Sequence, residues 1–429
     1  VDATGGAYRA PQDTDGSWDA FLAAFPVDAR VLLDSNDAPV ALQSSGDDLP
    51  AAFGVAVHGA FANTDVNTLM PMGTDVPAAG SGLGFATGVA VGSHHVASAG
   101  YFKGTLTLDG SVGAHVLVAA SAVGEADYDS LLVLRPVPGT AGATEDPAAV
   151  SATVRLVSSV PSALKDDRFR AVASTTDGTS YCIGGHAAVS VPSTVVSLAG
   201  PAITLPGGGG RDGFVGMVSD TTFTGAWAAP VGAVSGVDDS IIAVAANDDI
   251  VVVGGSIVGA PPTFASVAVY SGSVDNRELA TAYALSRTSG AELWGKAWGT
   301  DTTDGVAATS GVAVDPSGDW LVVAGSFAGG DFLVGDITLA SGSAARTSFA
   351  VLLSASDGSV AWAKASSMGA SAGASAFAVV RGVAVSSSSV ILAGQFSASS
   401  LGHMSFGDEL AAKAPAVDEL TAPMPHAFV

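Results

Sequence analysis

Short apolar runs, each followed by a polar turn and a second apolar run, recur along this sequence and predict paired β-strands. The clearest case is GVAVDPSGDWLVVAGSF, Gly311 to Phe327, where DPSGD separates the two runs. Apolar residues at every second position are typical of strands, and Asp, Pro, Ser and Gly favour a tight turn between them. No segment keeps helical periodicity over a dozen residues. The pattern therefore predicts an all-β chain built from hairpins.

The same hairpin returns at intervals of about 70 residues, which indicates an internal repeat. Clear copies begin at Gly88, Gly311 and Gly382, and weaker copies begin near Arg170 and Ile241. The second strand of each copy ends in a small residue and a glycine. Such a pair suits a place where neighbouring backbones come close together.

A second hairpin follows the first within each repeat. Its first strand is predicted at residues 128–136, 211–219, 280–288 and 347–355. Four strands per repeat predict four-stranded antiparallel sheets, and radial repetition in a β-propeller protects the edges of such sheets without helices. We predict a single β-propeller domain over residues 1–429, with about six blades; five to seven blades fit the length and the period.

The two ends of the chain do not fit the repeat. Residues 17–35, SWDAFLAAFPVDARVLLDS, look like a second hairpin without a first, so residues 1–35 are expected to complete a terminal blade. Residues 36–86 are interpreted as an insert or a degenerate blade, and residues 87–429 as the repeats. The final PHAFV, residues 425–429, again resembles the start of a second hairpin. Either the sequence is an excerpt of a longer chain, or one end pairs with another subunit, since an open sheet edge accepts a strand.

Residues 311–366 resemble the SBBP-type β-propeller repeat of bacteria. GVAVDPSGDWLVVAGSF is followed there by SFAVLLSASDGSVAWAKAS, and the combined pattern is similar to that of the family. The resemblance extends over residues 85–400 and is weaker in the second and third copies. It implies a propeller fold, commonly of about seven blades, in large secreted or surface proteins. It carries no catalytic residue over to this chain.

Acidic residues outnumber basic ones by 40 to 16, which gives a net charge of −24. A field of this sign repels nucleic acid and anionic membranes, so neither is expected as a partner. No run of 18 apolar residues is present, so no membrane insertion is expected. The acidity favours a soluble surface or the binding of cations. No N-x-[ST] acceptor occurs, so any glycan would be O-linked to Ser or Thr.

The segment DTDGSWD, residues 13–19, is the best candidate for a cation site. Asp13, Asp15 and Asp19, with an intervening glycine, resemble part of a calcium loop. The terminal bidentate Glu of the helix–loop–helix type is absent. The alternative interpretation is a solvated turn that leads into the strand WDAFL. No cofactor other than this calcium ion is expected.

Three other features have weaker links to chemistry. His94 and His95 are adjacent, and neighbours on a strand point to opposite faces, so the pair is a poor chelate. The loop LPGGGGRDGF, residues 205–214, lacks the Lys and the strand-to-helix setting of a phosphate loop. Cys182 lies in an apolar setting that favours a buried, inert thiol. No catalytic residue is expected.

The segment SRTSGAELWGKAW, Ser286 to Trp298, is similar to the tryptophan-docking repeat of quinoprotein dehydrogenases. Trp227, Trp294 and Trp362 stand at equivalent places, where such a residue ties adjacent blades together. Those enzymes hold a quinone cofactor with calcium, and the vicinal Cys pair that many of them carry is absent from this chain. Packing between blades explains the spacing without a cofactor.

Together these features favour a non-catalytic structural β-propeller at the cell surface or in the extracellular space, a subunit or module of a surface assembly or filament. The start at Val1 suggests a processed product or a piece of a longer chain. The expected partners are further copies or other surface proteins, with O-linked glycans as an additional option. Two alternatives stay open: a glycan- or protein-binding propeller, and a quinoprotein-like dehydrogenase.

Overall fold

The structure, a computed structural model, describes segments of the chain that consist of strands and turns. The described segments are residues 83–103, 105–108, 115–118, 129–136, 156–158, 167–188, 194–198, 202–205, 210–222, 224–231, 238–258, 268–270, 278–341, 346–368, 377–385, 390–397, 403–406, 411–413 and 426–428. No helix occurs within them, and nearly all strand pairs are antiparallel. The all-β prediction is therefore confirmed for this part of the chain.

Twenty-eight strands are present in the described segments, and Val and Ile recur in them because β-branched side chains pack well on a pleated surface. In chain order they are β1 (Leu83–Val91), β2 (His95–Lys103), β3 (Thr105–Leu108), β4 (His115–Val118), β5 (Asp129–Pro136), β6 (Leu156–Ser158), β7 (Arg168–Ser174), β8 (Ser180–Ala188), β9 (Thr194–Leu198), β10 (Ala202–Leu205), β11 (Arg211–Ser219), β12 (Gly225–Val231), β13 (Ser240–Ala246), β14 (Ile250–Val258), β15 (Ala268–Tyr270), β16 (Glu278–Ser286), β17 (Glu292–Trp298), β18 (Val306–Val314), β19 (Trp320–Ala328), β20 (Phe332–Val334), β21 (Ile337–Leu339), β22 (Thr347–Ser354), β23 (Val360–Met368), β24 (Phe377–Val385), β25 (Val390–Ser397), β26 (His403–Phe406), β27 (Ala411–Lys413) and β28 (His426–Phe428).

Three groups of four long antiparallel strands are named sheets A, B and C in chain order. Sheet A is β7–β8–β11–β12, sheet B is β13–β14–β16–β17, and sheet C is β18–β19–β22–β23. One parallel pair, Glu278 opposite Val306, joins B and C into a larger sheet, which β26 and β27 continue beyond β23. Every adjacent pair in these three sets is antiparallel. Each sheet therefore consists of two hairpins side by side, with its strands in chain order.

Three further sheets have three strands each in the described residues. Sheet N is β1–β2–β5, sheet D is β24–β25–β28, and the third is the short sheet β10–β9–β6. In sheet D, Phe428 lies opposite Gly394, just as Phe349 of the third strand lies opposite Gly325 in sheet C. Strand β28, His426–Phe428, therefore occupies the third-strand position of sheet D.

Short strands fill the connections between the second and third strands of the sheets. They form the hairpins β3–β4, β9–β10, β20–β21 and β26–β27. In sheet B this connection instead contains β15, which pairs in parallel with β17. These additions leave the four-strand order of sheets A to C unchanged.

The small-residue and glycine pairs lie where backbones crowd. In sheet A, a side chain at Gly184 would meet Ile241 and Val244 of β13, and one at Gly185 would meet the carbonyl of Arg168. The glycine pair of β14 in sheet B is crowded in the same way. A side chain at the first glycine would meet side chains of β18, and one at the second would meet a backbone carbonyl of β13. The crowding that the sequence predicts is confirmed at these two sheets.

Sheets A to D are neighbours in chain order. Their first strands, β7, β13, β18 and β24, contact one another successively. Clusters of buried aliphatic and aromatic side chains lie between sheets A and B and between sheets B and C. These sheets belong to one compact unit, Ala86–Tyr101 with Ala120–Val429, whereas the hairpin β3–β4 belongs to a second unit, Val1–Phe85 with Phe102–Ala119.

Candidate functional site

The turns that follow the first and third strands lie at one end of each sheet, because the strands alternate in direction. This end is called the turn end. Polar and charged side chains from neighbouring sheets meet there. For example, the amide of Ser93 between β1 and β2 donates to the carbonyl of Gly178 between β7 and β8, at 2.9 Å. The turn end therefore contains the polar side chains that are the best candidates for a functional arrangement.

Sheets A and B are joined at the turn end by a tryptophan. Trp227 in β12 is buried, and its indole Nε1 donates to the carbonyl oxygen of Arg287 at 2.6 Å. Its ring lies against Gly290, whose φ of +69° is in the left-handed region. A side chain at Gly290 would collide with the ring and would also strain the backbone.

Sheets B and C are joined by the same contact one repeat later. Trp294 in β17 is buried and donates from Nε1 to the carbonyl oxygen of Ala355 at 2.8 Å. Its ring lies against Gly358, whose φ is +68°. The packing of tryptophan between sheets, which the spacing in the sequence predicts, is thus present at two successive junctions.

Sheets N and A are joined differently, by a buried carboxylate. Asp220, which follows β11, has a fully buried side chain and accepts four hydrogen bonds. The backbone amide and the Nδ1 atom of His94 lie 2.8 and 3.1 Å from its Oδ2. The Nδ1 atom of His95 and the hydroxyl of Tyr181 lie 3.0 and 2.8 Å from its Oδ1. Two imidazoles and a phenol thus converge on one carboxylate.

The geometry of this cluster suits hydrogen bonds that converge on the carboxylate. A carboxylate oxygen accepts, and the backbone amide of His94 and the hydroxyl of Tyr181 donate to it. Burial and the neighbouring Asp220 raise the pKa of Tyr181 well above its ordinary value, so its phenol stays protonated and donates. The arrangement holds two sheets together through hydrogen bonds that are all satisfied at this carboxylate.

His94 lies in the hairpin turn, as the sequence indicates, and His95 begins β2. Although neighbours on a strand point to opposite faces, the Nδ1 atoms of both histidines reach the carboxylate of Asp220. Sequence analysis missed Asp220 because it lies more than 120 positions away along the chain. Among the described residues there is no group of three or more His, Cys, Asp or Glu side chains arranged to hold a metal ion.

An arginine strengthens the junction between sheets A and B. The Nη2 atom of Arg287 lies 2.7 Å from Oδ2 of Asp177 and 2.8 Å from Oγ1 of Thr179. Its Nη1 atom lies 3.6 Å from Oδ1 of Asp248. Partial burial favours the protonated form of Asp177, but hydrogen bonds from Thr175, Thr179 and Arg287 outweigh it and hold the pKa of Asp177 well below its ordinary value.

Ser240 and His186 form the contact that comes nearest to a nucleophile and a base. The Nδ1 atom of the buried His186 lies 2.9 Å from Oγ of Ser240. Burial, with the charges of Arg170, Arg211 and Arg168, lowers the pKa of His186 well below its ordinary value. An imidazole of such low basicity is a poor general base near neutral pH, so this pair favours a structural role.

The remaining candidates are either buried or outside the described residues. Cys182 is fully buried, and burial raises the pKa of its thiol, as expected for an inert cysteine. The calcium candidates Asp13, Asp15 and Asp19 lie outside the described residues, as do residues 206–209 of the glycine-rich loop.

The sequence matches no protein-family model, and no curated protein matches it. In the segments that the structure describes, no helix is both long and apolar enough to cross a membrane.

Proposed function

We propose that the chain is a non-catalytic structural β-propeller of the cell surface or extracellular space, a subunit or module of a surface assembly or filament. In this proposal sheets A to D are blades, and terminal strands complete the last blade. The partners are further copies of the chain or other surface proteins, with O-linked glycans as an additional option on its many Ser and Thr residues.

The observation that carries the proposal is the repeated junction between sheets. Trp227 and Trp294 make the same contact at successive junctions, and the first strands of four sheets contact one another in chain order. Radial packing of four-stranded sheets brings first strands together in this way. The repetition supports a propeller whose sequence is used mainly to pack one blade on the next.

The charged groups at the turn end support a structural role in the same way. Asp220, Arg287 and Asp177 take part in hydrogen bonds between neighbouring sheets. The large negative charge of the whole chain favours solubility of an apolar β-protein outside the cell.

The edge of sheet D supports an assembly role. Within the described residues, β28 pairs with β25 on one side and has no strand on its other side. An edge strand of this kind is a template for a strand from the same chain or from a neighbour. Completion of this sheet is therefore the step at which assembly would be controlled.

The test uses native material rather than a fragment. Intact cells are labelled with a membrane-impermeant biotin reagent, and the protein released from the surface is examined by electron microscopy and light scattering. The proposal expects labelling together with ordered oligomers or filaments. Labelling of broken cells alone, or native material that consists only of monomers, would overturn it.

A further inference from the structure

One face of sheet C carries two tryptophans that are not fully buried. Trp320 begins β19 at the turn end, and Trp362 lies in β23. Trp320 is opposite Ser354 on β22, whereas Trp362 is opposite Leu352, which is in turn opposite Val322 on β19. Residues that are opposite each other, or two apart on one strand, share a face of the sheet. Both indoles therefore lie on the same face.

The matching face of sheet B is covered by sheet C. The four positions of sheet B that have the same register are 8%, 0%, 0% and 5% exposed, in the order Ile250, Val252, Ala284 and Trp294. All four belong to the cluster of buried side chains that includes Val312 of sheet C. This is the face that sheet B turns towards the next sheet, so the two tryptophans of sheet C lie on the face that is turned towards sheet D.

On sheet C this face has larger side chains and is nevertheless more exposed. Trp320 stands where sheet B has Ile250, and Leu352 stands where it has Ala284. The exposed fraction of Trp320 is 42%, against 8% for Ile250, and Leu352 and Trp362 are only partly buried. Apolar surface that is left uncovered in this way is typical of an interaction site.

Sheet D packs on this face through its first strand. Strand β24 contacts β18, β19 and β22, and a side chain at Gly311 would meet Val383. The second strand of sheet D is covered less closely, because Leu392 is partly buried whereas Val323, which has the same register in sheet C, is fully buried. Within the described residues, sheet D therefore leaves both tryptophans partly accessible.

The surroundings of the two indoles suit a carbohydrate. The tryptophans lie two strands apart, about 10 Å across the sheet, a span that two or three linked pyranose rings would cover. Lys364, two residues after Trp362, and Asp319, directly before Trp320, are both exposed. A pyranose ring has C–H groups that pack on the negative face of an indole and hydroxyls that pair with charged groups at the rim. A purely apolar ligand would bring no partner for those charges.

We propose that Trp320, Leu352 and Trp362 form a binding platform for a neutral carbohydrate chain. Its rings stack on the two indoles, Nζ of Lys364 donates to its hydroxyl oxygens, and the carboxylate of Asp319 accepts from its hydroxyl groups. The net charge of −24 repels acidic saccharides, so a neutral chain is favoured. This binding goes beyond the proposed structural role and does not depend on it.

Titration of the full chain with defined saccharides tests the platform. The neutral probes are maltoheptaose, cellohexaose, chitohexaose, mannohexaose and xylohexaose, and the acidic probe is trigalacturonic acid. Calorimetry measures the Kd, and tryptophan fluorescence reports a change at the indoles. The inference expects at least one neutral probe to bind with a Kd in the millimolar range or below, and expects weaker binding of the acidic probe.

Substitutions connect the binding to this face. Trp320→Ala should raise the Kd at least about tenfold, because a stacked aromatic ring carries much of the binding energy of a small site. Trp320→Phe keeps an aromatic ring and should raise it less. Leu293→Ala is the matched control, since Leu293 is 51% exposed on sheet B and lies outside the platform. Its Kd should equal that of the native chain.

A measurement on the native chain covers the case in which Trp320→Ala fails to fold in a urea titration. Acrylamide quenches the fluorescence of accessible indoles, and a bound neutral probe should reduce this quenching. Binding that leaves the quenching unchanged would place the saccharide elsewhere and count against the platform.

The other outcomes that would overturn the inference are equally distinct. They are the absence of binding by every neutral probe, preference for the acidic probe, and an unchanged Kd in a folded Trp320→Ala variant. A dimer that dissociates on Trp320→Ala, in the absence of saccharide binding, would show that a second copy covers the face. None of these results decides whether the chain is exposed at the cell surface, so the proposed function is tested separately.

Discussion

The three junctions N–A, A–B and B–C all depend on the second residue of the turn after a third strand. At the junction N–A this residue contributes its side chain, whereas at the other two it contributes its backbone carbonyl. The turns Ser219–Thr224, Ser286–Ala291 and Ser354–Ser359 are closed by the same hydrogen bond from the first residue to the last. At their second position stand Asp220, Arg287 and Ala355. Arg287 and Ala355 offer their backbone carbonyl to a tryptophan, whereas Asp220 offers its side chain to two histidines and a tyrosine.

The comparison shows that both partners of a junction change together. The first repeat has no tryptophan in ATVRLVSS, residues 152–159, and the turn Ser219–Thr224 has Phe223 where the later turns have Gly290 and Gly358. The sequence pattern predicts ATVRLVSS as the fourth strand of this repeat, but its residues Leu156–Ser158 pair with β9 instead. A tryptophan junction buries a large ring and needs a glycine for close approach. A carboxylate junction needs no glycine, but every buried donor must find an acceptor. Two different solutions therefore connect sheets of the same type.

The largest expected effect is the loss of a tryptophan. Trp294→Ala should lower the free energy of unfolding by about 3–5 kcal/mol, because it removes a buried ring and leaves a cavity between sheets B and C. Trp294→Phe should recover most of this and lack only the hydrogen bond to Ala355, worth about 1 kcal/mol. Urea titration of each full-length variant measures the difference. An effect of Trp294→Ala below 1 kcal/mol would contradict the role given to the ring.

The loss of the carboxylate should be the next largest effect. Asp220→Ala removes the acceptor that His94, His95 and Tyr181 share, although the Tyr181 hydroxyl can still donate to the carbonyl of His95. The loss of an acceptor for a buried donor costs about 1–3 kcal/mol. We expect a total loss of about 2–4 kcal/mol in urea titration. Asp220→Asn keeps the shape and one acceptor oxygen, so it should lie between Asp220→Ala and the native chain. Equal stability of all three would show that the polar contacts at this junction contribute nothing.

Two glycines separate backbone strain from docking. Gly358 and Gly335 both have positive φ, but only Gly358 lies against an indole ring, and Gly335 has no atom near the place of a side chain. Gly335→Ala should cost about 1–2 kcal/mol through strain alone. Gly358→Ala should cost about 1–2 kcal/mol more, because the ring of Trp294 must move. Equal losses in thermal or urea unfolding would mean that the ring adapts freely.

The smallest expected effect is the pH dependence of the Arg287 contact. The pKa of Asp177 is lowered in the folded chain, so its stabilising contribution is present above about pH 4 and is lost as the pH falls below that value. Asp177→Asn should therefore flatten the acid side of the stability curve, by less than about 1 kcal/mol. The pKa of Asp315 is also lowered; burial opposes the shift, but hydrogen bonds from Ser317 and other groups of its own turn outweigh it.

Salt distinguishes these two aspartates. Asp177 faces the charge of Arg287, so high salt should weaken its contribution to the acid slope, whereas Asp315→Asn should have the same effect at low and high salt. Urea titrations from about pH 2 to pH 6 at two salt concentrations provide the measurement. If high salt changes the acid slope of both variants equally, the ion pair between Arg287 and Asp177 contributes no more than a neutral hydrogen bond.

The sequence predicts local pairing well because hairpins and turns depend on residues close together in the chain. The strand period, the polar turns and the position of PHAFV all follow from short patterns, and Trp227 and Trp294 follow from their spacing in the repeat. Asp220 could not be found in this way, because its partners His94 and His95 come from a different sheet. An acidic residue in a turn whose counterparts in later repeats carry Arg or Ala at that position is the one sequence signal that could have indicated it.

The tryptophan junction also has a consequence for synthesis on the ribosome. Trp227 must wait for Arg287, 60 residues later, and Trp294 must wait for Ala355, 61 residues later. Each sheet can fold locally as it emerges, but its lock to the next sheet closes only after a further repeat has been translated. At both junctions, the more recently translated sheet therefore lacks its tryptophan contact until the next sheet has emerged from the ribosome. A pause in translation within a repeat would prolong the exposure of an indole surface to chaperones and to neighbouring chains.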